Sequence, residues 1–161
     1  MDFLELVKRR HSVRIYEKKE ISREVLEYVL EAARLAPSAF NAQEFKFIVT
    51  SDKTKIEEIA KVAGALFIKD APLVVVAVGL DPDNKYNIVN VAIALDHLQL
   101  AAANRDLGSC WVGTLGHRDV EKIFEFDERA KVFAVMPLGY DAGKVMEKKR
   151  KNFDELFLIE D

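Results

Sequence analysis

The sequence predicts an α+β fold in which a mixed β-sheet is sandwiched between helices, and three observations indicate it. Helical and strand-like patterns alternate along the 161 residues without an internal repeat or a break in composition, so we expect a single domain over residues 1–161. Residues 73–78 form a continuous apolar run rich in valine, which is typical of a strand covered on both faces. Residues 88–104 form a helical pattern that is apolar almost all round, which places this helix in the interior or in a subunit interface.

The first forty residues predict two helices separated by a linker. Asp2 is a suitable N-cap for a short helix that ends at a cluster of basic residues. Residues 15–21 are the linker, and Ser22 is a suitable N-cap for the second helix. That helix ends before Pro37, because the residue preceding a proline is disfavoured in the helical conformation. Its apolar stripe at helical spacing consists of Val25, Leu26, Val29, Leu30 and Ala33.

The middle of the chain predicts strands on either side of two helices. Residues 45–50 alternate and contain aromatic and β-branched side chains, which indicates a strand. Asp52 is a suitable N-cap for the helix that follows. Residues 81–84 are predicted to form a turn, and Gly108 is expected just past the C-terminus of the long helix. Residues 110–112 predict a short strand.

The C-terminal part predicts one more helix, one more strand and a tail. Arg118 or Asp119 begins the helix, residues 131–138 are the last predicted strand, and residues 139–143 are a predicted turn. Residues 144–161 form a tail that is basic at first and then apolar and acidic. Its large apolar side chains are not expected to stay in water, so the tail folds back or lies on another subunit. These side chains are Phe153, Leu156, Phe157, Leu158 and Ile159.

Composition excludes several classes of protein. Half of the residues are hydrophobic and 32% are charged, which is unlike a disordered chain or a membrane-embedded one. The net charge of −3 argues against general nucleic-acid binding. The sequence shows no secretory signal or membrane-spanning pattern, so we expect a cytoplasmic protein with no membrane and no nucleic acid as partner. The single cysteine excludes an internal disulfide, and the three histidines are dispersed, so we expect no metal site.

Residues 9–14 form an unusually dense basic cluster. It contains Arg9, Arg10, His11, Ser12 and Arg14. Guanidinium groups match phosphate oxygens in a fixed fork and a hydroxyl adds a donor, so the cluster suits a phosphate monoester. The alternative is a solvated basic run, which is the commoner meaning of clustered charge. A second basic run at residues 148–151 favours the phosphate interpretation if the two runs meet.

Two further segments are candidates for binding. Residues 37–43 form a loop rich in side-chain donors and acceptors. Residues 110–116 include a glycine pair, but its spacing is too short for a phosphate-binding P-loop. Cys110 beside Trp111 is more typical of a small buried hydrophobe than of a nucleophile, because no base is near it in the sequence.

In their order and spacing these segments resemble the FMN-dependent nitroreductase family. The resemblance rests on residues 10–14, 36–43, 107–113 and 137–140 and on the later basic pair, and it covers nearly the whole chain. It implies a clamp for the FMN phosphate and ribityl chain made of Arg10, His11, Ser12, Arg14, Lys148 and Arg150. It implies a loop that approaches the flavin ring from the other subunit with Pro37, Ser38, Ala39, Asn41 and Gln43. It implies a backbone stretch along the flavin made of Trp111, Val112, Gly113 and Thr114.

The resemblance also implies an architecture and an activity. The fold would be a nitroreductase-like three-layer sandwich with a mixed, mainly antiparallel central sheet. Two chains would form an intertwined homodimer in which the tail, residues 144–161, extends over the partner. FMN would be the bound cofactor and NADH or NADPH the electron donor. A small-molecule acceptor such as a nitroaromatic or a quinone would be reduced in a ping-pong cycle, and no side chain would be catalytic because the flavin carries the chemistry.

Three alternatives stay open on the sequence. The chain could bind flavin with little turnover, since Glu44 and Phe45 stand where relatives often have proline and tryptophan, and residues 64–68 lack the asparagine and basic residue of many relatives. It could bind another phosphorylated ligand through the basic cluster. It could be a dehydrogenase or dehalogenase of the same superfamily.

Overall fold

The computed structural model describes residues 2–81, 83–113, 119–124, 126, 129–144 and 148–160. Its helices are α1 (Phe3–Arg9), α2 (Arg23–Arg34), α3 (Lys53–Val62), α4 (Asn87–Asn104) and α5 (Asp119–Lys122). Its strands are β1 (Phe45–Thr50), β2 (Leu73–Gly79), β3 (Leu107–Ser109), β4 (Val112–Gly113) and β5 (Lys131–Tyr140). Short 3₁₀ turns cover Ala39–Asn41, Leu66–Asp70 and Phe153–Glu155.

Three helices begin at the N-cap residues that the sequence predicts. Side-chain oxygens of Asp2, Ser22 and Asp52 accept hydrogen bonds from amides in the first turns of α1, α2 and α3, at 3.0, 3.4 and 2.9 Å. These amides have no partner inside the helix, so a polar side chain at this position fixes where the helix starts. For the last helix, α5 begins at Asp119, while Arg118 lies outside the described residues.

The strands form one sheet in the order β1-β2-β5-β3, and β4 also pairs with β5. The pairings between the described strands are antiparallel. A single bridge between Ser12 and Ser109 is parallel. The sheet is therefore mixed and mainly antiparallel, as the family resemblance implies.

Helices cover both faces of the sheet and give the three layers. On one face α2 and α4 pack over Val75 and Ala77 of β2. On the other face α3 and α5 pack over Val74, Val76 and Val78 of the same strand. Because successive side chains of a strand point to opposite faces, a strand between two cores needs apolar residues at every position. This is the physical reason for the valine run, and it confirms the predicted sandwich.

Gly108 does not mark the end of the long helix, and that prediction is wrong. The long helix ends at Asn104, and Asp106 takes the left-handed conformation with a φ of 61°. Gly108 lies in β3, where an added Cβ would sit 2.5 Å from Cγ2 of Val13. The glycine therefore marks a close approach between two chain segments, which has no local sequence signal.

Residues 139–143 do not form the predicted turn, because β5 continues through Tyr140. Gly139 pairs with Gly108 across the sheet, and a Cβ on Gly139 would lie 2.7 Å from Cδ of Pro72. In the sequence, a glycine needed for close packing cannot be distinguished from a glycine needed for a turn. This is why the sequence predicts a turn here.

The strand predicted at residues 110–112 is only partly present. Ser109 pairs with Leu138 and Val112 pairs with Val135, so β3 and β4 keep one register against β5. Cys110 and Trp111 interrupt the pairing between them. The strand-like pattern is real, but it extends on both sides of the predicted segment.

The described part of the tail does not pack into either core. Phe153, Leu156 and Phe157 are 57–62% exposed, and Leu158 and Ile159 are 84% and 72% exposed. The described apolar side chains of the tail are therefore not buried against their own chain. Among the described residues, no helix is both long enough and apolar enough to span a bilayer.

Candidate functional site

The basic cluster of residues 9–14 runs from the end of α1 along the edge of β3. The Val13 amide donates to the Ser109 carbonyl oxygen at 2.9 Å. Val13 is 3% exposed, whereas Ser12 and Arg14 on either side of it are exposed. Because side chains alternate along an extended segment, burial of Val13 turns its polar neighbours outward.

A cavity of about 360 Å³ opens beside this cluster, and we call it the cationic cavity. Its walls bring together the six residues predicted to hold the FMN phosphate and ribityl chain: Arg10, His11, Ser12, Arg14, Lys148 and Arg150. Arg10 and Lys148 are 138 positions apart in the sequence. The two basic runs therefore meet. This arrangement favours an anion-binding site over two separate solvated surfaces.

Lys148 joins the tail to the end of α1. Its Nζ donates to the carbonyl oxygens of Lys8 and Arg10. Carbonyls in the last turn of a helix have no partner inside the helix and attract cations. Burial lowers the pKa of Lys148, and the charges of Arg10 and Arg150 lower it further. The lysine is thus a cation held close to other cations by backbone carbonyls.

The imidazole of His11 contacts the carboxylate of Asp141 at the wall of the cationic cavity. His11 Nε2 lies 2.9 Å from Asp141 Oδ2, and both side chains are about four-fifths buried, with 19% and 22% exposed. The other carboxylate oxygen of Asp141 accepts from the Gly143 amide at 2.8 Å. Asp141 is a site residue that the sequence does not reveal. Its place beside His11 depends on the bridge between Tyr16 and Asp141, which joins distant segments.

Two buried side chains with ionisable groups, Tyr16 and Cys110, adjoin Val13 and Ser12 of the cationic cavity. The Tyr16 hydroxyl donates to the Val13 carbonyl oxygen at 2.7 Å, and burial raises the pKa of Tyr16 far above its ordinary value. Cys110 is 2% exposed, and burial raises the pKa of its thiol, although the charge of Arg14 and a hydrogen bond with Ser12 oppose the shift. Cys110 is therefore a buried neutral thiol, as predicted, and not an activated nucleophile.

The loop of residues 37–43 has an unusual backbone. Phe40, Asn41 and Gln43 have φ angles of 55°, 55° and 52°, a left-handed region in which side chains crowd the backbone. Ser38 Oγ accepts from the Gln43 amide at 3.1 Å, and Asn90 Oδ1 accepts from the Ala39 amide at 2.9 Å. Within the described chain, none of the predicted loop residues lines the cationic cavity: Pro37, Ser38, Ala39, Asn41 and Gln43.

The predicted backbone stretch lies next to β5. Val112 and Gly113 form β4 and pair with Val135 and Ala134. Trp111 precedes them and is 38% exposed, so its ring is not simply core packing. Thr114, the fourth residue of this prediction, lies outside the described residues. The three described residues, Trp111, Val112 and Gly113, do not line the cationic cavity of their own chain.

Comparison with known proteins gives consistent matches. The model of the Nitroreductase family matches residues 7–71 and 62–140 of the chain. A protein of Methanothermobacter thermautotrophicus, named as a candidate NADH dehydrogenase/NAD(P)H nitroreductase, is 32% identical over 88% of this chain and 78% of its own. Iodotyrosine deiodinase of Thermotoga neapolitana is 26% identical over 84% of this chain and 87% of its own. The structure of an FMN-dependent nitroreductase from Clostridium difficile R20291 superimposes with a TM-score of 0.84 at 29% identity, over 96% of this chain and 94% of its own.

Proposed function

The chain belongs to the nitroreductase family, and from this premise we propose that it is an FMN-dependent oxidoreductase that takes hydride from NADH or NADPH and reduces a small-molecule acceptor. The observation that carries the proposal is the cationic cavity, where basic residues from the two ends of the chain meet. The names of the relatives in archaea and bacteria support a reductase.

The side chains of the cationic cavity fit a phosphate monoester. The guanidinium groups of Arg10, Arg14 and Arg150, the ammonium group of Lys148 and the hydroxyl of Ser12 line it. All of these groups donate hydrogen bonds, and four are cations, which suits the oxygens of a dianion. The one carboxylate among the described lining residues, Asp141, is already paired with His11. We therefore assign the phosphate end of FMN to this cavity.

The remaining predicted residues are proposed for the ring end. Trp111, Val112, Gly113 and Thr114 would lie along the ring with their backbone, and the loop of residues 37–43 would reach it from the partner subunit. The chemistry supplied by bound FMN is hydride acceptance from NADH or NADPH followed by reduction of an acceptor such as a nitroaromatic or a quinone. The protein side chains bind and orient the ring, and one face of it stays open to the substrates.

A second copy of the chain is part of the proposal. α4 exposes Ile88 and Val89, which are 40% and 50% accessible, and the tail exposes five large apolar side chains. Exposed apolar surface of this extent is typical of an interface. We propose that residues 1–161 form one FMN-binding domain, and that the tail, residues 144–161, extends over the partner in a homodimer.

The purified chain reconstituted with FMN tests the proposal. We expect a yellow dimer whose visible absorbance bleaches when NADH or NADPH is added without oxygen and returns when a nitroaromatic or quinone follows. The measurements are anaerobic absorbance and light scattering after size exclusion. Retained flavin that neither donor bleaches would favour a binding module with little turnover. Stronger protection against unfolding by a non-flavin phosphate would reassign the cationic cavity.

Reductive dehalogenation is a second candidate for the acceptor half of the reaction. The similarity to iodotyrosine deiodinase extends over most of both chains and favours it. An iodinated tyrosine offered to the reduced, FMN-loaded chain separates the two candidates. Release of iodide at a rate comparable with nitroaromatic reduction supports dehalogenation, and the absence of iodide with active nitroreduction rules it out.

A further inference from the structure

One face at the start of α4 carries asparagine at every third position. Asn84 lies in the turn before the helix, Asn87 is the first residue of α4, and Asn90 follows. Residues three positions apart share a face of a helix. The Asn87 amide donates to the Asn84 carbonyl oxygen at 2.9 Å, so the turn and the helix are continuous. We call these three residues the asparagine row.

The asparagine row holds the loop of residues 37–43 at both of its ends. At the start of the loop, Asn90 Oδ1 accepts from the Ala39 amide at 2.9 Å. At the other end, Asn87 Nδ2 donates to the Glu44 carbonyl oxygen at 2.9 Å, and Asn84 Nδ2 donates to Glu44 Oε2 at 2.6 Å. One rigid helix therefore sets the distance between the two ends of the loop.

The loop between these anchors is strained. Phe40, Asn41 and Gln43 all have left-handed φ angles, which residues with a side chain rarely adopt. Phe40 is 91% exposed, so burial of its ring does not hold the backbone in place. Strained backbone persists only where its surroundings fix it, and the asparagine row supplies such fixing contacts.

Two members of the asparagine row leave unpaired polar atoms in the core. Asn87 and Asn90 are each 1% exposed, and among the described residues Asn87 Oδ1 and Asn90 Nδ2 have no hydrogen-bond partner. Buried polar atoms without a partner are destabilising. Core packing therefore does not explain the two amides, whereas their bonds to the loop do.

We propose that Asn87 and Asn90 are positioning residues that fix the loop of residues 37–43 and thereby set how it meets the flavin ring. This inference rests on the proposed function, in which the loop faces the FMN bound by the partner. Neither asparagine lines the cationic cavity, so their removal acts on the ring end and leaves phosphate binding intact. A loosened loop lowers the rate of flavin reduction, because reactants held in one geometry react faster.

Hydrogen exchange of the FMN-loaded full chain tests the contacts directly. In the wild type, the Ala39 amide is expected to exchange as slowly as amides inside α4, because its acceptor is a buried side chain of that helix. In Asn90→Ala, the amides of Asn41 and Gln43 are expected to exchange about tenfold faster. These two amides donate to Ser38 and not to Asn90, so they report the order of the loop itself.

The rate of reduction and the affinity for FMN are expected to separate in the same variant. With saturating FMN and NADH, Asn90→Ala should reduce its flavin about tenfold more slowly, while the Kd for FMN changes by less than about twofold. Asn87→Ala, which frees the Glu44 end, is expected to show the same separation. The matched control is Asn104→Ala, because Asn104 lies at the other end of α4 and bonds the Tyr28 hydroxyl at 3.0 Å.

The outcomes distinguish this inference from the proposed function. Fast exchange at Ala39 in the wild type, or unchanged loop exchange in a folded Asn90→Ala variant, would overturn the positioning role. Equal losses of FMN affinity and of reduction rate would overturn it as well. A wild-type flavin that neither donor reduces would count against the proposed function, since loop exchange is measured independently of turnover.

Discussion

The cationic cavity and the loop of residues 37–43 are built in contrasting ways. The cavity gathers charged side chains from segments far apart in the chain, with Arg10 and Lys148 138 positions apart. The loop is short and carries no charge, and its backbone is held by buried amides of the helix behind it. The cavity provides charged side chains, whereas the loop provides a backbone in a fixed conformation.

This contrast follows from the distance dependence of the forces involved. Coulomb attraction between a cation and a phosphate falls slowly with distance, so small displacements of an arginine are tolerated. Hydrogen-bond geometry is lost within a few tenths of an ångström, so a planar ring needs a rigid neighbour. We therefore expect affinity for FMN to depend mainly on the cavity, and the quality of ring placement to depend mainly on the loop.

The largest separation between the regions is expected from Arg10→Ala. Loss of hydrogen bonds to a charged phosphate should weaken FMN binding by about 1.5–3 kcal/mol, with loop hydrogen exchange unchanged. Flavin fluorescence titration at fixed ionic strength measures the affinity. Arg23→Ala is the control, because Arg23 is exposed on α2 and pairs with Glu27 at 2.7 Å. Wild-type affinity in Arg10→Ala would contradict the assignment of the phosphate.

Alanine substitution of one glycine beneath each region is expected to displace that region. A Cβ on Gly108 would lie 2.5 Å from Val13 Cγ2, under the basic cluster, and one on Gly79 would lie 1.8 Å from Asn87 Oδ1, under the loop. Each alanine substitution should lower the free energy of unfolding by about 1–3 kcal/mol through overpacking. Gly108→Ala should then weaken FMN binding more than Gly79→Ala does, and Gly79→Ala should speed loop exchange more.

Urea unfolding measures the stability, flavin fluorescence titration measures the affinity for FMN, and hydrogen exchange measures the order of the loop. Arg23→Ala is again the control, because the Arg23 side chain is 90% exposed. If the two variants lose FMN affinity and loop order to the same extent, the two regions are mechanically coupled and the contrast is wrong.

Alkaline pH should act on the cavity side. Burial raises the pKa of Cys110 above its ordinary value of 9.0 and that of Tyr16 above 10.0. At alkaline pH the unfolded chain therefore releases protons that Cys110 and Tyr16 keep in the folded chain. The contribution of these two groups to the free energy of unfolding is fully present below about pH 9 and is lost as the pH rises. The loss is about 1.4 kcal/mol per pH unit for each group that titrates.

Urea unfolding between pH 8 and pH 11 checks this pH dependence. The slope should shrink in Tyr16→Phe, which keeps the ring and removes the titrating hydroxyl, and shrink again when Cys110→Ala is added. An unchanged slope in the double variant would assign the alkaline loss of stability to other groups.

The smallest effect is expected from relief of strain in the loop. Phe40 is 91% exposed and has a φ of 55°, so Phe40→Gly removes a crowded side chain and little buried surface. It should raise the free energy of unfolding by up to about 1 kcal/mol, since glycine adopts left-handed φ without strain. Thermal unfolding measures the gain. A loss of stability would show that the edge-on contact of Phe40 with Tyr86, at 5.9 Å between ring centres, outweighs the strain.

The sequence predicts features whose causes are local. The N-caps at Asp2, Ser22 and Asp52 and the buried strand β2 follow from side chains close in the chain, and all four are present. The glycines of β3 and β5 were misassigned, because a close approach between distant segments leaves the same sequence signal as a turn or a helix end. Asp141 and the asparagine row depend on tertiary pairing in the same way, and no periodicity or spacing indicates them.

The bond between Lys148 and the carbonyl of Lys8 joins positions 140 apart, and it has a consequence for biosynthesis. A nascent chain can pair the five described strands once Tyr140 has left the ribosome, yet the cationic cavity lacks one wall until Lys148 and Arg150 have followed. If the proposed function holds, we expect capture of FMN to follow formation of the sheet, and a chain that stops before Lys148 to form the sheet but bind FMN weakly.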